Sequence, residues 1–384
     1  MIRRICKWVV FKWVYPVCYY AGSPRKIKKK RIILVENHGE QLSDDYILIY
    51  EHLKRENCDV RIHYLGLSIF SWGKIVFRTI KLIWDMTAAS CVLINDSNSV
   101  FGAFNLREET RLIQLWHACG AFKKWGYSVV DKTFGEDQKA LDTYSGHRNY
   151  NLVPVSGKAV CWAYVEAFGL QDKPDIVKPL GVSRTDVYFT ESKKQEAHSH
   201  LMNLGFPIKG RKVILYAPTF RGDTIRGAKA PDQLDLSVLY SLHQEYVVLI
   251  KNHPFVRERT EIPESFRDFC MEIGDRMSIE ELLMVADICI TDYSSIVFEY
   301  SLLQKPMLFF AYDLEDYYDE RGFYYPYEEF VPGPIVRTTE ELLREIRQIE
   351  QFDRDRIVAF CKEYMSGCDG HSTQRIVGYV LNAE

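Results

Sequence analysis

The sequence predicts an α/β protein built from two doubly wound domains in tandem, each a parallel sheet with helices on both faces. Short apolar runs alternate with helix-patterned segments along most of the chain, the order that produces parallel sheets. The alternation falls into two series separated by a polar stretch. The 384 residues are enough to bury two cores of ordinary size.

The first series opens with Ile32-Ile33-Leu34-Val35, a buried-strand pattern that leads into Glu36-Asn37-His38-Gly39. A helix is expected over 44–54, a strand near 60–64, a helix over 76–86, and strands at 91–94 and 113–116. The second series places strands at 212–216, 246–250, 288–291 and 307–310. Between them, residues 190–211 carry Gly205, Pro207 and Gly210 and set the expected domain boundary. The organisation read this way is a terminal segment 1–31, an N-terminal domain 32–195 and a C-terminal domain 196–384. No GxGxxG follows any of these strands, which argues against a dinucleotide site.

The ten cysteines form no CxxC pair and no Cys/His ligand spacing, so they read as reduced thiols rather than a disulfide framework. The net charge of −3 hides an asymmetry. Residues 1–31 hold ten of the 49 basic residues and no Asp or Glu, which leaves 39 basic against 52 acidic residues elsewhere. A basic terminus on an acidic body points to an anionic partner surface. Nucleic acid is disfavoured, because no binding module is present and the body is acidic. Trp8, Phe11, Trp13, Tyr15, Tyr19 and Tyr20 lie among the cations, a mixture suited to a membrane interface. Lys7, Lys12 and Pro16 interrupt the run, which falls short of the ~20 apolar residues that spanning needs. The expectation is a peripheral, monotopic segment on the cytoplasmic leaflet. Its alternative is a helix packed on the protein's own surface.

Each polar motif sits just past a strand. Trp116-His117 follows 113–116, Pro218-Thr219-Phe220-Arg221 follows 212–216, Lys251-Asn252-His253 follows 246–250, and Asp292-Tyr293-Ser294-Ser295 follows 288–291. Only the carboxyl edge of a parallel sheet gathers such ends into one site. The serine turn is the most informative. Strand, tight turn and helix N-terminus present backbone N–H groups and a positive dipole end to a phosphate; a plain N-cap is the alternative. His117 and His253 are candidate acid–base groups, against the reading of half-buried histidines satisfied by backbone. Arg221, Lys251, Lys123 and Lys124 are candidate phosphate cations, against solvated surface charges. Arg221 leads, because its planar fork pairs phosphate oxygens bidentately. Glu299 lies one turn into the helix, to orient a sugar hydroxyl or simply to face water. There is no DxD, no HxxxH and no carboxylate cluster after a strand. No metal site or resident cofactor is expected, with a loosely bound Mg²⁺ left open.

In their order and spacing these segments resemble the CDP-glycerol glycerophosphotransferase family of teichoic acid synthesis. The resemblance is carried by Trp116-His117, Gly181-Val182-Ser183-Arg184-Thr185-Asp186, the run from Ile214 to Arg221, His253-Pro254, and Thr291 to Ser295. It continues through Lys305-Pro306, Phe310 to Leu314, Arg321-Gly322, Pro332-Gly333-Pro334 and Asp369-Gly370-His371. It implies a GT-B architecture of two Rossmann-like domains, with the CDP-alcohol held mainly by the C-terminal one. It implies transfer of glycerol phosphate from CDP-glycerol, or of ribitol phosphate from CDP-ribitol, to an undecaprenyl-linked saccharide, with CMP leaving. The family's motif histidines fall on His117 and His253. Its phosphate-binding serines fall on Ser294 and Ser295, and with Pro218, Thr219, Arg221, Lys251, Asp292 and Glu299 they make up the expected donor side. The expected acceptor side is Asn37, Gly39, Lys123 and Lys124. Ala118-Cys119-Gly120 resembles enzymes that add the first unit, whereas 36–53 resembles the opening of the polymerases' catalytic region, so both readings stand. A GT-B UDP-sugar glycosyltransferase is the rival within the same architecture. Oligomerisation is open.

Overall fold

The computed structural model describes residues 2–130, 138–222, 227–315, 317 and 322–382; Arg321, one of the motif residues above, lies outside them. The first series forms strands β1 (Lys28–Glu36), β2 (Asp59–Tyr64), β3 (Ala89–Ile94), β4 (Arg111–Gln114), β5 (Tyr150–Pro154) and β6 (Val177–Lys178). They assemble in the order β2-β1-β3-β4-β5-β6, with every pairing parallel. The second series forms β7 (Lys212–Tyr216), β8 (Tyr246–Ile250), β9 (Cys270–Glu272), β10 (Ile288–Thr291), β11 (Met307–Phe310) and β12 (Ile335–Val336). Their order is β12-β11-β10-β7-β8-β9, again all parallel.

Continuous apolar runs make these strands because both sheet faces are covered. In β1 and β3, Ile33, Val35, Val92 and Ile94 pack with Leu82, Ile83 and Met86 of helix α4 (Trp72–Met86, the fourth along the chain). The alternate residues Ile32, Leu34, Cys91 and Leu93 pack on the opposite face with Tyr46, Ile49 and Leu53 of helix α3 (Asp44–Arg55). Each such side chain contributes roughly 1.5–3 kcal/mol on burial.

The structure moves three of the expected boundaries. Helix Glu191–Asn203 occupies most of the stretch read as a linker, and its Ala197 and Leu201 pack with Val213 and Leu215 of β7. The break at 195/196 therefore falls inside a helix of the C-terminal domain. Helix Ser372–Leu381 crosses back: Ile376, Val377 and Val380 lie in the cluster of Ile32, Leu34 and Leu93 on the N-terminal sheet. At the other end, β1 starts at Lys28, so part of the basic run is strand. Arg31 is buried and ion-paired with Asp59 at 2.8 Å.

From Ile2 to Gly22 the terminal segment is helical, as α1 (Ile2–Val9), a π-helical turn (Val10–Val14) and α2 (Tyr15–Gly22). One side packs on the domain. Tyr15 and Tyr19 are buried, Tyr19 stacks on Phe104 with centroids 4.3 Å apart, and its hydroxyl accepts from the Arg107 N–H. The other side exposes Ile5, Trp8, Val9, Trp13, Val17 and Tyr20. Among the described residues no helix is long and apolar enough to cross a membrane.

Candidate active site

Each sheet reverses strand order once, between β1 and β3 in the first and between β7 and β10 in the second. Loops leaving the carboxyl ends diverge there and leave a crevice. The two crevices meet in a cleft of about 660 Å³ lined by Ser97, Trp116, His117, Lys123, Lys124, Trp125, His147, His253 and Ser295 among others. Both motif histidines, one serine of the turn and both lysines of the Lys123-Lys124 pair are thus brought together.

His117 reaches the cleft through a strained turn. Trp116 takes φ +58°, a left-handed backbone that bulky residues rarely adopt. Its N–H donates to Gln114 Oε1 and its ring stacks on His117 at 4.2 Å. His117 Nδ1 lies 3.1 Å from the Asn95 carbonyl oxygen. A carbonyl only accepts, so Nδ1 carries hydrogen and the neutral ring keeps its lone pair on Nε2. Asp96 sits beside the ring, its Oδ1 3.9 Å from Nδ1.

His253 has the opposite tautomer. Its Nδ1 accepts from the Phe255 N–H at 3.2 Å, so the neutral ring carries hydrogen on Nε2. Phe220 and Phe255 flank it with centroids at 5.0 and 4.7 Å.

The serine turn leads into a short helix, Ile296–Ser301. Ser294 Oγ lies 3.4 Å from the Ile296 N–H, whereas Ser295 makes no side-chain cap bond and lines the cleft. Lys123 Nζ donates to the Tyr317 hydroxyl at 3.2 Å, and the Lys124 ammonium lies over Tyr324.

Other expected donor residues have different work. Arg221 was the leading phosphate cation, yet its guanidinium is held by Asp313 through Nε at 2.5 Å and Nη2 at 3.0 Å. Its Nη1 contacts Asp292 at 2.9 Å and the Thr219 carbonyl. Two carboxylates therefore neutralise it. Asp292 is buried and accepts from the backbone N–H and hydroxyl of Thr219 and from the Tyr293 N–H. This ties the loop after β7 to the loop after β10; Pro218 is buried within the first of them. Lys251 Nζ donates to the Gly274 and Met277 carbonyls, and burial lowers its pKa. Glu299 is no water-facing helix carboxylate. It is 5% exposed and ion-paired with Arg184 at 2.5 Å. On the acceptor side, Asn37 is buried and bonded to Ser97 and Asn98, so it shapes the loop, with the half-buried Gly39 beside it.

Three groups of the site were not singled out from the sequence: His38, Asp96 and Arg184. His38, flanked by the chosen Asn37 and Gly39, places Nε2 2.8 Å from Asp96 Oδ2. That bond outweighs burial and raises the His38 pKa. Burial opposes charge on Asp96, but His38, His117 and the Ser97 N–H outweigh it and hold the carboxyl below its usual range. Arg184 was quoted only as part of a motif. Its Nη1 donates to Asp45 Oδ1 at 2.6 Å and to the His117 carbonyl at 2.9 Å, and its Nη2 to Glu299. Position after a strand end would have flagged His38 and Asp96; nothing local marks the partners of Arg184. Among the described residues, no group of three or more His, Cys, Asp or Glu converges to hold a metal ion.

Two parallel sheets that turn their carboxyl edges on one cleft define the GT-B-like class, and known proteins place the chain within it. It belongs to the family described as CDP-Glycerol:Poly(glycerophosphate) glycerophosphotransferase, which it matches over residues 18–382. It is 34% identical over 359 residues to a teichoic acid ribitol-phosphate primase of Bacillus spizizenii, covering 92% of this chain and 91% of the relative. It is 31% identical over 306 residues to a teichoic acid glycerol-phosphate primase of Bacillus subtilis, covering 79% and 76%. A solved variant of the wall teichoic acid polymerase TagF superposes with a TM-score of 0.79 at 23% identity, covering 95% of this chain and 91% of that one.

Proposed function

We propose that this protein transfers a polyol phosphate from a CDP-polyol to a hydroxyl of a lipid-linked saccharide and releases CMP. The observation that carries the proposal is the pair of opposite tautomers lining one cleft. His117 offers a lone pair at Nε2, and His253 in its neutral form offers a hydrogen at Nε2.

The acceptor oxygen attacks the β-phosphorus in line, and its proton passes to His117 Nε2. A new P–O bond forms while the bond from the β-phosphorus to the oxygen bridging to CMP breaks. CMP leaves as a phosphomonoester whose second pKa is about 6, so it needs no proton at neutral pH. One base therefore suffices, and His253 donates a hydrogen bond to the transferred phosphoryl. The turn at Ser294-Ser295 offers backbone and hydroxyl donors to the pyrophosphate. Asp96 supports the imidazolium that forms on His117.

Ribitol is the first donor to test, because the relative matched over 91% of its length is named a ribitol-phosphate enzyme. Glycerol, the expectation from sequence, is the second reading, supported by the glycerol-phosphate primase. A lipid-linked acceptor requires the cleft to work beside a bilayer. The exposed aromatic side of α1 and α2, with Arg4, Lys7 and Lys12 on the same segment, is the proposed contact with an anionic cytoplasmic leaflet.

The test uses CDP-ribitol and CDP-glycerol, each radiolabelled in the β-phosphate, with a lipid-linked disaccharide. Label is expected in the lipid product, with one CMP released per label transferred. Label confined to the aqueous phase for both donors, together with sugar transfer from a UDP-sugar, would overturn the proposal in favour of a glycosyltransferase.

A further inference from the structure

The Arg184 guanidinium lies where three segments meet. It bonds Asp45 in the first turn of α3, the carbonyl of His117 after β4, and Glu299 in the helix that begins next to Ser295. Asp45 carries the contact onward. Its Oδ2 accepts from the Asn95 side chain at 3.0 Å, and the Asn95 carbonyl receives His117 Nδ1. His117 is therefore held at its backbone directly and at its ring through Asp45 and Asn95. The same guanidinium grips the opposite wall of the cleft through Glu299.

We infer that Arg184 is the positioning residue that fixes His117 relative to the serine turn across the cleft, an inference that rests on the reading of His117 as the base.

Three features favour this over a purely stabilising ion pair. First, the three partners belong to different segments, two in the N-terminal domain and one in the C-terminal domain. Second, the network is buried at a cost. Arg184 Nε and Glu299 Oε2 are both buried without a hydrogen-bond partner. Charges buried this way add little net stability compared with apolar side chains of similar size, so what they supply is a defined geometry. Third, a planar fork can hold three acceptors in fixed directions, which the point charge of a lysine cannot. In-line transfer needs that precision, since a misplacement of about 1 Å costs roughly 10²-fold in rate.

The experiment compares Arg184→Lys, Arg184→Gln and Glu299→Gln with the parent, with His117→Ala in parallel. For each, kcat and donor KM are measured with a CDP-polyol and a lipid-linked disaccharide, CMP affinity by calorimetry, and folding by thermal melt. Arg184→Lys and Arg184→Gln should each lower kcat by at least about 10-fold, with CMP affinity within about threefold of the parent. Glu299→Gln leaves the bonds to Asp45 and His117 in place and should lower kcat by a smaller factor. It also carries the test if both Arg184 variants fail to fold. Parent-like kcat in a folded Arg184 variant, or in Glu299→Gln when it alone folds, overturns the inference. So does a loss of kcat matched by an equal loss of CMP affinity. If His117→Ala keeps parent turnover, the base assignment fails instead. A dead His117→Ala beside a parent-like Arg184→Gln overturns the positioning role alone.

Discussion

His117 Nδ1 points at the carbonyl oxygen of Asn95 across 3.1 Å, and this contact decides which ring nitrogen can take a proton. Asn95 is itself fixed, since its side chain donates to Asp45 and to Ser43 at the start of α3. The tautomer is thus imposed by the start of α3 through Asn95 and does not depend on the substrate.

Replacing His117 by Ala should lower turnover by roughly 10²–10⁴, the usual worth of a positioned base. CMP affinity should hold, because the proposed donor contacts lie on the other wall. Rapid-quench turnover beside calorimetric CMP titration checks both; a folded His117→Ala protein with normal turnover would remove the base assignment.

The two serines of the turn should separate. Ser295 lines the cleft without capping the helix, while Ser294 is near the Ile296 N–H. Ser295→Ala is expected to weaken CMP by about 1.5–3 kcal/mol, the range for hydrogen bonds to charged groups, and to leave cytidine unaffected. Equal losses for CMP and cytidine would show that the hydroxyl touches no phosphate.

Arg221→Met distinguishes a clamp from a phosphate ligand. Removing the guanidinium leaves Asp292 and Asp313 facing each other with no cation between them. The side chain is 20% exposed, so the expected loss is discounted to roughly 2–4 kcal/mol of stability in a urea titration. Normal stability with a large drop in CMP affinity would restore the phosphate role that the sequence suggested.

His147 lines the cleft but stacks on Phe168 at 4.3 Å, and burial pushes its pKa down to about 4. An unfolded histidine titrates near 6.5, so between those values the unfolded chain binds a proton that the fold refuses. Stability from this residue is complete above pH 6.5 and falls as pH drops toward 4, by a total on the order of 3 kcal/mol. His147→Phe should therefore lose less melting temperature than the parent between pH 7 and pH 5; parallel curves would contradict this.

The membrane proposal is best tested by point substitution. Deleting residues 2–31 would remove Tyr15 and Tyr19 from the core and the first residues of β1. Trp8→Glu with Trp13→Glu alters only exposed positions. The double variant should leave anionic vesicles in a flotation assay, whereas high salt releases the parent only partly, since apolar contact is not screened. Flotation unchanged in the double variant would move membrane contact elsewhere.

The strands were legible because a parallel sheet buries both faces and writes itself as uninterrupted apolar runs; β1, β3, β7, β8 and β10 all fall where such runs lie. That His117 and His253 would line one cleft was legible because the fold brings strand ends together. The fate of the cations was not. Whether Arg221 meets a phosphate or a carboxylate is decided by Asp292 and Asp313, more than 70 residues away along the chain. Glu299 read as either a sugar-hydroxyl ligand or a water-facing carboxylate, because its partner Arg184 lies 115 positions earlier. Pairings of that kind belong to tertiary structure, and no local pattern announces them.

Helix Ser372–Leu381 closes a face of the sheet whose last strand ends at Lys178. During synthesis that sheet waits for about 190 further residues, roughly 10–40 s at about 5–20 residues per second, with α3 in place on that face but the part beside it that Ile376, Val377 and Val380 cover still open. The N-terminal half is therefore started first and finished last, and the nascent chain carries an open greasy strip through about half of translation. A protein cut before residue 372 should bind a hydrophobic dye and aggregate, and a soluble, dye-silent product would show the strip covered by other means. Until that helix emerges, the half that carries His117 depends on whatever shields it in the cell.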